Sequence, residues 1–485
     1  MTDAARHQAE IKKDTDLAAW IGLFLGPLLL LACLLTDPPG TLSEAGWRTV
    51  GLTLLMATWW STEAIPIPVT SLLPILMAPA LGISTVDKAS APYANPAIFL
   101  FLGGFMLGLA MERWNLHKRI ALMTLRAVGS QPAYQVAGFM LATAFLSMWV
   151  SNTATSIMML PIGMSVITLL GDDNPHSERL STGLLLGIAY AASIGGIATL
   201  IGTPPNALLI AFLKDNYDIH IGFGQWMLVG VPVSVVMLGV TWLWLTRGGL
   251  RKAAKLADSD ALIHDELKAM GPLSRGEKGV AVVFVCAAFA WVFQPLIAKV
   301  VPGINDTSIA MAAAIALFLV PVSLKNREFL MSWGHAGKLP WGVLLLFGGG
   351  LSLAAQIRAT GLADWIAQGM GALGFLPLIL LIGMVVMVII FLTEVTSNTA
   401  TAAAFLPLLG ALAVSQGMSP ELLAIPAAIA ASCAFMMPVA TPPNAIVFGT
   451  GHLRIGDMIR AGFFLNLVGI VVVTLLSYVL VRTIW

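Results

Sequence analysis

The sequence predicts an all-α polytopic membrane protein of about 11 transmembrane helices plus two re-entrant hairpins, folded as an inverted-topology repeat. Composition predicts the membrane: 58% of the 485 residues are hydrophobic, 11% are charged and the mean hydropathy is +0.87. Those values lie outside the range of soluble domains. Internal repetition predicts the duplication. Ser-Asn-Thr at 151–153 recurs at 397–399, and the same 246-residue offset pairs Phe101 with Phe347, Gly103-Gly104 with Gly349-Gly350, Leu107 with Leu353, Leu116 with Leu362 and Pro161 with Pro407. A second shared element, Gly202-Thr203-Pro204-Pro205-Asn206 and Ala440-Thr441-Pro442-Pro443-Asn444, has an offset of 238. The placement of basic residues predicts the inversion.

In chain order, residues 1–46 form a tail and first helix. The span at 17–35 is retained, because the stretch before it, with Arg6, Lys12, Lys13 and several acids, is too polar for a signal peptide. The first repeat, 47–246, has spans at 47–62, 64–83 and 97–112, an apolar segment at 132–170 with the triplet near its middle, and spans at 182–212 and 224–246. A linker at 247–278 carries seven basic residues, Arg247, Arg251, Lys252, Lys255, Lys268, Arg275 and Lys278. The second repeat, 279–485, has spans at 279–300, 307–324 and 340–357, an apolar segment at 374–414, and spans at 421–450 and 457–482. The positive-inside rule places the tail and the linker in the cytoplasm, so an even number of crossings lies between them. Six spans satisfy that count if 132–170 is a hairpin that enters and leaves on one face. Its flanks agree, with Arg113, Lys118, Arg119 and Arg126 on one side and Arg179 on the other. The same count keeps Lys325, Arg327 and Lys338 inside, opens hairpin 374–414 outward and puts Trp485 outside. The two repeats therefore run in opposite directions, an architecture common among secondary transporters.

Non-helical backbone at membrane depth survives only where protein or a wet cavity satisfies it. A hairpin tip presents free N–H groups where its second arm starts and free C=O groups where its first arm ends. The former attract anions and the latter cations. Pro204-Pro205 and Pro442-Pro443 lack N–H donors and disfavour helix before them, which exposes the carbonyls of Gly202 and Ala440. The hydroxyls of Ser147, Ser151 and Thr393 and the amide oxygens of Asn152 and Asn398 complete oxygen shells without a carboxylate, a donor set suited to Na⁺. Two pseudo-symmetric tips on one cavity suit a two-ended anion, one carboxylate per tip.

These motifs, with Trp59-Trp60-Ser61-Thr62-Glu63-Ala64-Ile65-Pro66 upstream, resemble the divalent anion/sodium symporter family of INDY-type dicarboxylate and citrate carriers, and the likeness covers nearly the whole chain. The resemblance implies a homodimer in which a static scaffold carries a transport domain that moves like an elevator. It implies one Na⁺ site at Ser147, Ser151, Asn152 and the Gly202 carbonyl, and another at Thr393, Asn398 and the carbonyls of Thr396 and Ala440. Substrate would meet Asn152, Thr153 and Thr203 from one half and Asn398, Thr399 and Pro442 from the other. The expected function is Na⁺-coupled import of a C4-dicarboxylate such as succinate, fumarate or malate across a bacterial inner membrane. Rival readings are a Na⁺-independent exchanger of the same fold, a citrate or sulfate symporter, and an intramembrane enzyme or receptor.

Other residues offer less. Cys33, Cys286 and Cys433 lack metal or disulfide spacing. The seven histidines fall in predicted tails or loops and read as solvated, and no hydrolase, zinc or nucleotide motif is present. Trp59-Trp60 reads as an interfacial anchor. Glu63, at a predicted span end, reads as solvated or as a helix cap rather than as a proton relay, and Glu394 reads equally as a brace for its hairpin or a charge coupled to the site.

Overall fold

A computed structural model describes residues 3–169, 177–247, 250–252, 257–369 and 377–485, with side chains from residue 17 onward except at 169, 252–260 and 367–369. The outer ends of the predicted hairpins at 170 and 374–376, Lys255 of the linker, and the side chains of Arg6, Lys12, Lys13 and Lys252 lie outside the described residues.

The chain is helical apart from a two-stranded ribbon, Pro321–Ser323 against Glu328–Phe329. Seven helices among the described residues are long and apolar enough to cross a bilayer, including Leu17–Leu35, Phe223–Leu245 and Ile455–Ile484. Helix boundaries repeat at the sequence offset. Helices start at 132 and 378, end at 147 and 393, and restart at 152 and 398. Each apolar segment is therefore a hairpin: Pro132–Ser147 and Asn152–Leu169 in the first half, Leu378–Thr393 and Asn398–Ser415 in the second.

Four predicted spans are broken rather than continuous, two of them at the Pro-Pro pairs as the prolines predict, and one, 279–300, where helix Arg275–Val292 gives way to Gln294–Ile297. The 182–212 segment is Ser177–Ile197 and Pro204–Tyr217, and the 421–450 segment is Glu421–Ala431 and Pro442–Phe448. The Pro-Pro pairs occupy the first two positions of the second piece in each, where their missing N–H groups would have been unpaired anyway. The 64–83 segment is split into Ile67–Thr70 and Leu73–Ala80, with Pro68 and Pro74 near the start of each. Hydropathy sees none of these breaks, because the residues on both sides are equally apolar.

Glycines set the closest helix approach. A side chain on Gly103 would sit within 2.8 Å of Ala310 in helix Asp306–Leu319, and one on Gly349 would clash with the Ser71 backbone. The double-glycine element is thus a packing surface used once in each half. The halves also interlock, since Pro442–Phe448 packs on Asn152–Leu169 while Pro204–Tyr217 packs on Asn398–Ser415.

Two readings are corrected by burial. Trp60 is 1% exposed and its Nε1 donates to Ser71 Oγ at 3.1 Å, while Trp59 Nε1 donates to the Gly22 carbonyl. The pair packs helices together instead of anchoring at an interface. His117 is buried in helix Leu116–Val128 with Nδ1 3.0 Å from the Met111 carbonyl oxygen, because that amphipathic helix turns one face inward.

Candidate functional site

Four helix N-termini, at Asn152, Pro204, Asn398 and Pro442, line one cavity of about 1250 Å³, and the helices before them end at Ser147, Ile197, Thr393 and Ala431, which do not line it. Each terminus leaves backbone groups without helical partners, so the fold brings N–H donors and C=O acceptors to the two Ser-Asn-Thr tips, which carry no charged side chain.

The walls contain ten of the twelve residues singled out in the sequence: Ser151, Asn152, Thr153, Gly202, Thr203, Thr396, Asn398, Thr399, Ala440 and Pro442. Ser147 and Thr393 do not reach the cavity. Both are fully buried behind the tips and act on the asparagines. Ser147 Oγ lies 2.5 Å from the inward end of the Asn152 amide and donates to the Ala192 carbonyl oxygen at 2.6 Å. Thr393 Oγ1 makes the matching contacts with Asn398 Oδ1 at 2.7 Å and the Ala431 carbonyl at 3.0 Å.

The first tip has a donor set that fits a small cation. The inward end of the Asn152 amide lies 2.5 Å from Ser147 Oγ, 3.1 Å from the Ala192 carbonyl oxygen and 3.3 Å from that of Gly202. With nitrogen inward the amide's two N–H groups are shared among these three acceptors. With oxygen inward, four oxygens converge, and a small hard cation is what satisfies them. Gly196 and Gly202 make room for this cluster. A Cβ on Gly196 would lie 2.9 Å from both Asn152 Oδ1 and the Gly202 carbonyl oxygen.

Thr203 Oγ1 lies 3.3 Å from Ser432 Oγ, which joins the break of one half to that of the other. The Thr396 hydroxyl is taken up locally by the Leu392 carbonyl and Thr401 Oγ1, the latter at 2.6 Å.

Sequence reasoning missed several contributors. Ser397 and Thr441 line the cavity, and the offsets from Ser151 and Thr203 would have found both. Asn206 and Asn444 serve the backbone and do not line the cavity. Asn206 Nδ2 donates to the carbonyls of Gly196, Ile197 and Thr199, the last at 2.8 Å, and Asn444 Nδ2 to those of Ala434 and Met437 at 3.3 and 3.0 Å. Glu394 is 3% exposed. Its carboxylate accepts from the consecutive backbone N–H groups of Phe435, Met436 and Met437 at 2.7–3.0 Å and from Asn466 Nδ2 at 2.7 Å. Of its two readings, the geometry is that of a brace between the second hairpin and the second break.

The chain matches the sodium:sulfate symporter transmembrane region over residues 17–484. It is 44% identical over 478 residues to the sodium-dependent dicarboxylate transporter SdcS of Staphylococcus aureus strain USA300, covering 96% of this chain and 92% of the relative, and the same protein from strain NCTC 8325 is equally similar. Among solved structures, the YdaH transporter of Alcanivorax borkumensis aligns with a TM-score of 0.59 at 16% identity over 97% of this chain and 98% of its own. MtrF of Neisseria gonorrhoeae aligns at 0.54 and 12% identity over 95% and 94%. At those identities the likeness is one of fold.

Proposed function

We infer that this chain, which belongs to the sodium:sulfate symporter family, is a secondary-active carrier that couples Na⁺ to the import of a C4-dicarboxylate. The observation that carries the reading is the convergence of both Ser-Asn-Thr tips and both Thr-Pro-Pro-Asn breaks on one cavity. A relative 44% identical over nearly the full length and named as a sodium-dependent dicarboxylate transporter supports the choice of ion and substrate.

In this reading one Na⁺ is held at the first tip by Ser147, Ser151, Asn152 and the Gly202 carbonyl. The other is held at the second by Thr393, Asn398 and the carbonyls of Thr396 and Ala440. The ions supply the positive charge that the tips' side chains do not. The dianion then bridges the tips through Asn152, Thr153 and Thr203 at one end and Asn398, Thr399 and Pro442 at the other. With two Na⁺ the loaded carrier is electroneutral, and a third would add one net charge, worth about 2.3 kcal/mol per 100 mV. The protein acts as a transporter and not as an enzyme.

Residues 47–246 and 279–485 are the two repeats, with 1–46 as tail and first helix and 247–278 as the cytoplasmic linker. The tips and broken helices travel together past a scaffold in an elevator motion, within a homodimer in a bacterial inner membrane. The N-terminus is cytoplasmic and the C-terminus external. Thr62, Glu63, Glu112, His117 and Lys338 also line the cavity, which supports a conformation open to the cytoplasm. If Asn152→Ala and Asn398→Ala leave Na⁺-dependent uptake of succinate intact, the site is misassigned. Uptake of sulfate in place of succinate would redirect the substrate.

A further inference from the structure

A second cavity lies away from the tips, between helix Leu116–Val128 and helix Ala257–Ala269 of the linker. It has a volume of about 370 Å³ and is lined by Arg119, Met123, Arg126, His264, Leu267 and Lys268. Three permanent cations and a histidine face it, and none of the described residues lining it is acidic.

The pocket is built, not a chance gathering of surface charge. Arg119 Nε donates to Glu277 at 2.6 Å and its Nη1 to the Gly271 carbonyl at 3.0 Å, while Lys118 Nζ lies 2.8 Å from Glu266. The Lys118 bond ties the two helices, and the Arg119 bonds tie the first of them to Gly271 and to helix Arg275–Val292; together they pair the nearby acids Glu266 and Glu277, while Asp265 is exposed beside His264. Arg126, His264 and Lys268 are exposed and remain around the opening. Met123, 58% exposed, and Leu267 give the same pocket an apolar side. Basic pockets beside membrane helices on the cytoplasmic side recognise anionic head groups, and each cation near the surface adds to the attraction.

We propose that this pocket binds the phosphate head group of an anionic phospholipid, with Arg126, Lys268 and His264 on the phosphate and Met123 and Leu267 against the first part of an acyl chain. The inner-leaflet source rests on the orientation proposed above, whereas the phosphate chemistry does not. Helix Leu116–Val128 joins the cavity-lining helix Pro96–Arg113 to the first hairpin. A head group clamped there fixes the joint through which the first tip is held.

The test is native mass spectrometry of the full-length protein in neutral detergent, titrated with soluble dioctanoyl phosphatidylglycerol. The R126Q/K268Q double variant is expected to bind about 30-fold more weakly than wild type, and each single variant about fivefold. An unchanged melting temperature verifies that the variants are folded, and the single variants carry the test if the double variant is not. Equal binding by wild type and variants overturns the site. Equal binding of dioctanoyl phosphatidylcholine overturns recognition of the anionic head group. Displacement by millimolar inorganic phosphate reassigns the pocket to a soluble anion and overturns the lipid. None of these readouts depends on transport, so a failure of the symporter reading would leave them standing.

Discussion

Asn206 and Asn444 stand 238 residues apart and play the same part in their two halves. Each side-chain amide donates to carbonyls freed by the helix break beside it, Asn206 to Thr199 at 2.8 Å and Asn444 to Met437 at 3.0 Å. Both side chains are fully buried. The breaks are thus satisfied in part from within.

Replacing either asparagine by alanine leaves two or three buried carbonyls without a donor. We expect a loss of about 1–3 kcal/mol for each variant, measured as a lower thermal midpoint of the purified protein. The two variants should lose similar amounts, since the motif is used in the same way twice.

Ser147 and Thr393 sit behind the tips and orient the asparagines, so their loss should weaken Na⁺ binding more than substrate binding. Ser147→Ala and Thr393→Ala are each expected to raise the Na⁺ concentration for half-maximal uptake by about tenfold, corresponding to about 1.4 kcal/mol. Thr393→Ser keeps the hydroxyl and should stay near wild type. Uptake against Na⁺ at saturating substrate reads the effect.

Space at the first tip makes a sharper prediction. A methyl group on Gly196 would stand 2.9 Å from Asn152 Oδ1, closer than atoms approach without displacement. Gly196→Ala should therefore abolish Na⁺-dependent uptake while leaving the protein folded. Retained uptake at wild-type Na⁺ dependence would show that this oxygen cluster is not the ion site.

Glu394 accepts four hydrogen-bond donors in a buried place. Glu394→Gln keeps the volume but turns an amide N–H toward backbone N–H groups, at an expected cost of about 3 kcal/mol. Thermal unfolding checks this, and Glu394→Asp, one methylene short, should recover only part of the loss.

The sequence made the duplication legible because polar triplets and Pro-Pro pairs are rare in apolar stretches, and each has a backbone consequence that does not depend on context. Helix ends at Ser147 and Thr393 followed from that logic. The split of 64–83 was not legible, since an interior proline breaks some membrane helices and not others, and the helices through Pro161 and Pro232 continue. The roles of Glu394 and His117 were also hidden, because their partners, at Phe435 to Met437 and at Met111, are backbone atoms that no residue pattern marks. Trp59 and Trp60 misled for a related reason: a tryptophan pair at a span end looks the same whether it faces lipid or a neighbouring helix.

The most direct test of the central claim is uptake of radiolabelled succinate into liposomes containing the purified protein, with an inward Na⁺ gradient or with choline, and with or without succinate inside. Accumulation that requires Na⁺ and no internal substrate is the predicted result. Uptake that ignores Na⁺ and requires internal dicarboxylate would contradict the account, making the protein an exchanger and reducing the oxygen clusters at the tips to structural hydrogen bonds.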